Sequence, residues 1–431
     1  MYTVYGTYLK NKIILEGFSN NIRIIQTSPQ RTGSIFLIYL LIGFINDKQI
    51  LESPKYNSSN IPDKYLEDNI IIKSHDIDID SWIQNIKNYK LYFICSEQNQ
   101  NVIDEKFKKY DNVICINYDE MLVTPVLELN TIVNNLYTKI RSFLPDEIKM
   151  SKKNGLDRIM NKTNKMLYLH FHKCAGTTII NCLKKKYKPY QPCDSNCNPV
   201  TDLKENINFL LFDNIDLYEF LLSQEFDFFF IEFSFFNRNI IFPKNLKIYT
   251  VLRNAYNRFI SNYNHDTDLS RLESAVNRGY RVTNYNDYQN LNINYKNNNY
   301  NLFNKNNYYK KLLNGLSYDA NISDNNYKYA LERLNSFTFV AILEEKESYD
   351  KLFKLMNIEK YSIKNSSTYK NVPKFYNYTN INRYDLSLYN HFKKHIPYII
   401  HQSWKTNDLT TYSDGKIGSI SQSKWKELYP D

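Results

Sequence analysis

Three short segments hold side chains whose types and spacing suit chemistry on a phosphate-like anion. The first is His170-Phe171-His172-Lys173-Cys174-Ala175-Gly176-Thr177-Thr178, at the end of an apolar run that opens at Met166. A helix beginning just after a tight turn offers unpaired backbone N–H groups and the positive end of its dipole. Gly176 would let the backbone approach an oxyanion, Thr177 and Thr178 add hydroxyl donors, and Lys173 adds an ammonium. An ordinary turn with a capping Thr reads the same way. The Walker spacing Gly-x4-Gly-Lys-Ser/Thr is missing, which disfavours a nucleotide kinase. The second segment, Arg253-Asn254-Ala255-Tyr256-Asn257-Arg258-Phe259-Ile260-Ser261, follows the apolar run 247–252. An Arg at a strand end and a Ser two helical turns on can share one phosphate, the Arg through a bidentate fork. The plainer reading is a surface helix with an incidental Arg. The third is the aromatic run 228–236, in which Glu232 is the one ionisable residue. Such surroundings predict a raised carboxyl pKa, which suits a general base near neutral pH; a structural ion pair is the alternative. His170 is the other candidate base, or else a histidine that orders the loop.

These residues need strands and helices to hold them. Runs at 22–27, 91–95 and 112–117 read as strands, with a helix through residue 44 and another over 126–143. A polar stretch, 149–165, reads as a linker. Beyond it, strands are expected at 166–171, 228–233, 247–252 and 338–343, and a turn at 172–178 leads into a helix at 179–186. Further helices are expected at 255–263, 327–334, 348–356 and 385–392. Strands alternating with helices predict an α/β fold of mostly parallel sheets covered on both faces. The stretch 282–307 is a run of Asn and Tyr with little periodicity, to which no fold is assigned.

The 431 residues are 42% hydrophobic, enough for two or three packed domains. With 38 Tyr, 25 Phe and only 10 Gly, the composition fits AT-rich coding, so a Tyr, Asn or Lys signals function only where its position is special. The net charge of +10 suits a polyanionic ligand as well as a solvated basic surface. No zinc-finger spacing or basic helix interleaved with aromatics argues for nucleic acid. The longest apolar stretch, 35–45, is too short to span a bilayer, and residues 1–20 lack the pattern of a secretory signal. The expectation is no membrane span and, by default, a cytoplasmic location. Of the six Cys, only Cys193 and Cys197 lie close together, with no second pair or His to complete a metal site, so no metal is expected.

The first two segments resemble the two donor-binding motifs of carbohydrate sulfotransferases, particularly the heparan sulfate 2-O/6-O group. The first motif, roughly His-x-x-Lys-Thr-Gly/Ala-Gly-Thr-Thr, is matched from His170 to Thr178 with Cys174 for Thr. The second, Leu-Arg-Asp-Pro-x-x-Arg-Phe-x-Ser, is matched from Leu252 to Ser261 with Asn254-Ala255 for Asp-Pro. Asn307 to Gly315, with Lys311 in place of an Arg, Phe339 to Glu344, and Asn365-Ser366-Ser367 extend the likeness across 166–395. The resemblance implies a P-loop-like sulfotransferase domain that moves a sulfuryl group from PAPS to a glycan hydroxyl, leaving PAP, with no metal. Lys173 and the N–H groups of Ala175, Gly176, Thr177 and Thr178 would hold the 5′-phosphosulfate, and Arg253 and Ser261 the 3′-phosphate. The family places a His or Glu base on the strand before the Arg motif, which is where Glu232 stands.

Residues 1–148 resemble a second, degenerate sulfotransferase domain. Its loop reads Arg31-Thr32-Gly33-Ser34, and Lys73-Ser74-His75 resembles a further family strand end. Ser96-Glu97-Gln98 stands where the family has Arg-Asp-Pro, so donor binding there is expected to be poor, and a pseudoenzyme partner or substrate platform is the competing role. Residues 396–431 resemble the opening of an Asp-x-Asp glycosyltransferase without the Asp-x-Asp. A non-catalytic glycan- or nucleotide-binding protein built on two decayed sulfotransferase folds is the alternative to an enzyme.

Overall fold

In a computed structural model the chain forms two parallel sheets of four strands, each flanked by helices. The structure describes residues 22–29, 32–45, 59–62, 66, 70–122, 128–232, 235–266, 307–316, 323–359, 361 and 382–395. Arg31, Asn365-Ser366-Ser367, residues 282–306 of the Asn- and Tyr-rich run and the tail 396–431 lie outside them.

The first sheet contains β1 (Ile22–Thr27), β2 (Ile71–Ser74), β3 (Lys90–Glu97) and β4 (Val113–Asn117) in the order β2-β1-β3-β4. Neighbouring residues along its strands point to opposite faces, and both faces are buried. Ile24, Tyr92 and Ile94 join one core with α1 (Ser34–Ile45) and α4 (Leu129–Phe143). Ile25, Phe93 and Cys95 join the other with Trp82 of α2 (Ile79–Asn85) and Phe107 of α3 (Gln100–Phe107). Continuous apolar strands are what burial on both faces requires. The polar stretch expected to link the halves holds a helix, α5 (Lys152–Lys162), capped by Ser151. Ile159 is buried while Lys152 and Lys153 stay in solvent, and the helix packs along α1. So few apolar residues left little periodicity to read.

The second sheet contains β5 (Met166–Leu169), β6 (Phe228–Ile231), β7 (Lys247–Leu252) and β8 (Phe339–Ile342) in the order β6-β5-β7-β8. Its helices are α6 (Gly176–Leu183), α7 (Asn214–Leu222), α8 (Ala255–Asp266), α9 (Tyr308–Leu313), α10 (Asp324–Asn335), α11 (Lys346–Leu355) and α12 (Arg383–His395). Helix α6 begins three residues before the expected start, so Gly176, Thr177 and Thr178 form its first turn rather than the loop before it.

Both sheets share one winding. The chain leaves the first strand for a neighbour on one side, then crosses back to the other side for the third. This opens a crevice at the C-terminal ends of β1 and β3, and again at β5 and β7, where open parallel sheets bind ligands. The halves dock through α7, a helix the sequence did not reveal. Ile215, Tyr218 and Leu222 of α7 belong to the first sheet's core, and the rings of Tyr218 and Phe36 lie 5.5 Å apart. Tyr118 Oη donates to Asp213 Oδ2 at 2.6 Å across the same junction.

Candidate functional site

The loop after β5 is anchored at both sides. His170 N donates to Ile231 O at 2.8 Å, and Thr250 Oγ1 to Leu169 O at 2.7 Å. It then turns through two left-handed residues that are not glycine, Lys173 (φ 66°) and Ala175 (φ 63°). Each such residue costs about 1–2 kcal/mol, strain that collects where a backbone must hold a special shape. Ala175 is the N-cap of α6 and supplies no side-chain cap. Among the described residues the N–H groups of Ala175, Gly176 and Thr177 find no acceptor, whereas Thr178 N bonds Ala175 O at 3.1 Å. Thr177 is exposed and Thr178 buried. Gly176 also has a packing role. A Cβ there would lie 2.1 Å from His170 Nε2, so the missing side chain makes room for an imidazole packed against the loop.

At the end of β7, Arg253 Nη1 donates to Lys173 O at 3.1 Å, bringing the two predicted segments together. A pair of tyrosines on α9 fixes both. Tyr308 Oη accepts from His172 N at 3.1 Å. Tyr309 Oη accepts from Arg253 N at 3.1 Å, donates to Arg253 O at 2.7 Å, and lies 3.4 Å from Cys174 Sγ. Arg258, 1% exposed, lays its guanidinium 4.4 Å from the Tyr308 ring centre, so it supports the tyrosines from within the core. Asp385 of α12 accepts from Tyr309 N and Lys310 N at 2.9 and 3.1 Å. Burial pushes its carboxyl up to about 6 despite those bonds. Glu344, just past β8, accepts from Asn254 N at 2.9 Å and holds the Arg253 turn from the other side. Ser261 lies inside α8 and is buried. Burial pushes the Cys174 thiol up to about 11, so it is not a thiolate near neutral pH.

Sequence reading passed over Tyr308, Tyr309 and Asp385. In a chain with 38 Tyr no single Tyr stands out. The available signal was the position of both tyrosines inside the 307–315 segment.

Glu232 follows β6 directly and is 3% exposed. Its Oε1 lies 2.8 Å from His172 Nδ1 and 3.4 Å from His170 Nδ1, while Oε2 is buried without a partner among the described residues. The expected rise in its pKa is reversed. Burial pushes the carboxyl up, but the charges and hydrogen bonds of His170 and His172 outweigh it and hold the group well below the usual carboxylate range. The aromatic run hid these partners, which come from the loop after β5. His172 is pushed down by burial, with Glu232 pulling the other way, and its side chain is 20% exposed.

The corresponding loop of the first sheet is closed. Thr32 Oγ1 donates to Pro29 O at 2.8 Å and lies 3.0 Å from Ser96 Oγ, Gly33 adopts φ 73° against Met121 and Ile215, and Ser34 is buried. At the first turn of α1, Ile35 N donates to Glu219 Oε1 of α7 at 2.9 Å, so a carboxylate from the second half sits where an anion would be received. At the end of β3, Glu97 Oε1 accepts from Gln98 N at 2.9 Å in place of an arginine.

Among the described residues no three His, Cys, Asp or Glu side chains cluster to hold a metal, and no helix is long and apolar enough to cross a membrane. A concavity around Asp350, Phe353, Lys354 and Tyr361 contains none of the residues singled out above. In comparisons with known proteins, the chain matches no family model, no curated protein and no solved structure.

Proposed function

We propose that the second half is a P-loop-like sulfotransferase domain that moves a sulfuryl group from PAPS to a hydroxyl of a glycan. The observation that carries this reading is the contact of Arg253 Nη1 with Lys173 O across the β5–β7 crevice. It unites a loop with open N–H donors and an arginine able to fork a phosphate, as a donor with phosphate at both ends of its nucleoside demands. The residues fit that donor. Lys173 and the N–H groups of Ala175, Gly176 and Thr177 would hold the 5′-phosphosulfate, and Arg253 with Ser261 the 3′-phosphate. PAPS supplies a sulfuryl group whose bond to the bridging oxygen breaks as the acceptor oxygen bonds to sulfur. The loop's N–H groups and Lys173 stabilise the charge left on that oxygen, and positioning dominates a loose transition state of this kind. One such donor is worth about 10²–10³ in rate.

The first half is assigned no donor, because Glu219 caps its loop and its β3 end lacks an arginine. There the non-catalytic reading has a specific observation in its favour, and the half serves as a docking partner.

Calorimetric titration with PAP tests the reading. The chain should bind PAP, and Arg253→Ala should weaken binding about 10- to 100-fold, as loss of a charged hydrogen-bonding pair does. Lys173→Ala should lower turnover with labelled donor more than PAP affinity. Binding that ignores Arg253→Ala would end the proposal.

A further inference from the structure

We infer that His172 is the base that takes the acceptor's proton and that Glu232 is the residue that positions it; this rests on the sulfotransferase reading of the same crevice. The sequence favoured Glu232 as the base. A group that meets a large, solvated acceptor must be reachable, and the three candidates differ sharply in this. The side chain of His172 is 20% exposed, that of His170 is 9%, and that of Glu232 is 3%. His170 is further confined by Gly176, against whose backbone its ring is packed. Glu232 Oε1, 2.8 Å from His172 Nδ1, is placed to accept the Nδ1 proton. An imidazole held in that tautomer presents Nε2 as its basic nitrogen, the arrangement that a carboxylate–imidazole pair uses to activate a hydroxyl. His172 also neighbours Lys173, the loop residue assigned to the donor, and its backbone is pinned by Tyr308.

The step balances without a further reactant. The acceptor O–H bond breaks, its proton passes to His172 Nε2, and the acceptor oxygen forms the bond to sulfur. The electron pair of the broken sulfur–oxygen bond leaves on PAP. The imidazolium keeps its charge beside the Glu232 carboxylate, then gives its proton to water.

Among the described residues, the groups facing His172 include Glu232, His170, Lys173 and Tyr308. A base must be unprotonated to act, so turnover should fall as the pH drops through the His172 pKa, which burial holds below the ordinary 6.5. Nitrogen-15 NMR of the histidine rings in the whole chain, without donor, should show neutral His172 as the Nδ1–H tautomer. Glu232→Gln should lower the His172 pKa and mix the tautomers. His172→Gln should cut turnover by about 10²–10⁴ and abolish the acidic limb of the pH profile, with PAP affinity changed by less than about twofold. PAP binding together with near-normal turnover in His172→Gln would overturn the base assignment alone, as would an Nε2–H tautomer. No PAP binding by the wild type would instead remove the donor reading and the base with it.

Discussion

Ala175 and Gly176 stand side by side in the loop after β5 with opposite requirements. Ala175 is held at φ 63°, where a Cβ is strained, whereas Gly176 needs no special backbone but has no room for a Cβ. Ala175→Gly should therefore stabilise the chain by about 1 kcal/mol, the left-handed strain relieved less the extra entropy of an unfolded glycine. Gly176→Ala should destabilise it by about 1–3 kcal/mol, as forcing a buried ring aside does. Urea unfolding of both variants checks the pair, and a stabilising Gly176→Ala would contradict the packing of His170. The sequence marked both positions as parts of an anion loop. It could not tell that the glycine leaves room for a ring six residues earlier.

Among elements, α9 has six residues and little stability of its own, yet it fixes the ends of β5 and β7. It persists because Asp385 caps it from α12. The folded-state pKa of Asp385, about 6, lies above its ordinary 3.8, so the folded chain binds this proton more tightly than the unfolded chain. The resulting stabilisation is complete below pH 3.8 and is lost as the pH rises through 6. Asp385→Asn cannot ionise. Its unfolding free energy relative to wild type should move in the variant's favour by roughly 2 kcal/mol between pH 4 and pH 7. Denaturant unfolding at both pH values reads this directly, and parallel pH profiles would refute it. All strands but β2 and most helices were legible as apolar runs. Helix α9 was legible only as a motif, because its stability comes from Asp385, 76 positions from Tyr309, rather than from its own letters.

For the whole molecule, two sheets of identical strand order present two similar crevices with different contents. The second has N–H groups without acceptors among the described residues; the first has Glu219 bonded to Ile35 N at the mouth of α1. Burial raises the Glu219 carboxyl, while the bond from Ile35 and the charge of Lys73 pull it down. A bound anion there would have to displace it. Calorimetry should therefore give one PAP per chain, lost with Arg253→Ala. Glu219→Gln should leave that single site intact and lower overall stability by about 1 kcal/mol through the weaker cap. Two sites in the wild type would refute the closed first crevice.

The sequence by itself determined the two α/β halves, since strands buried on both faces must be written as apolar runs, and it marked the loop at 170–178 and Arg253 at the ends of two such runs. Only the tertiary structure decided who meets whom. Glu232 meets His172 across 60 positions, Tyr309 meets Arg253 across 56, and Glu219 meets Ile35 across 184. Local propensity reports a residue's neighbours along the chain, whereas charge state and accessibility are set by neighbours in space, which the winding of the sheets alone brings together.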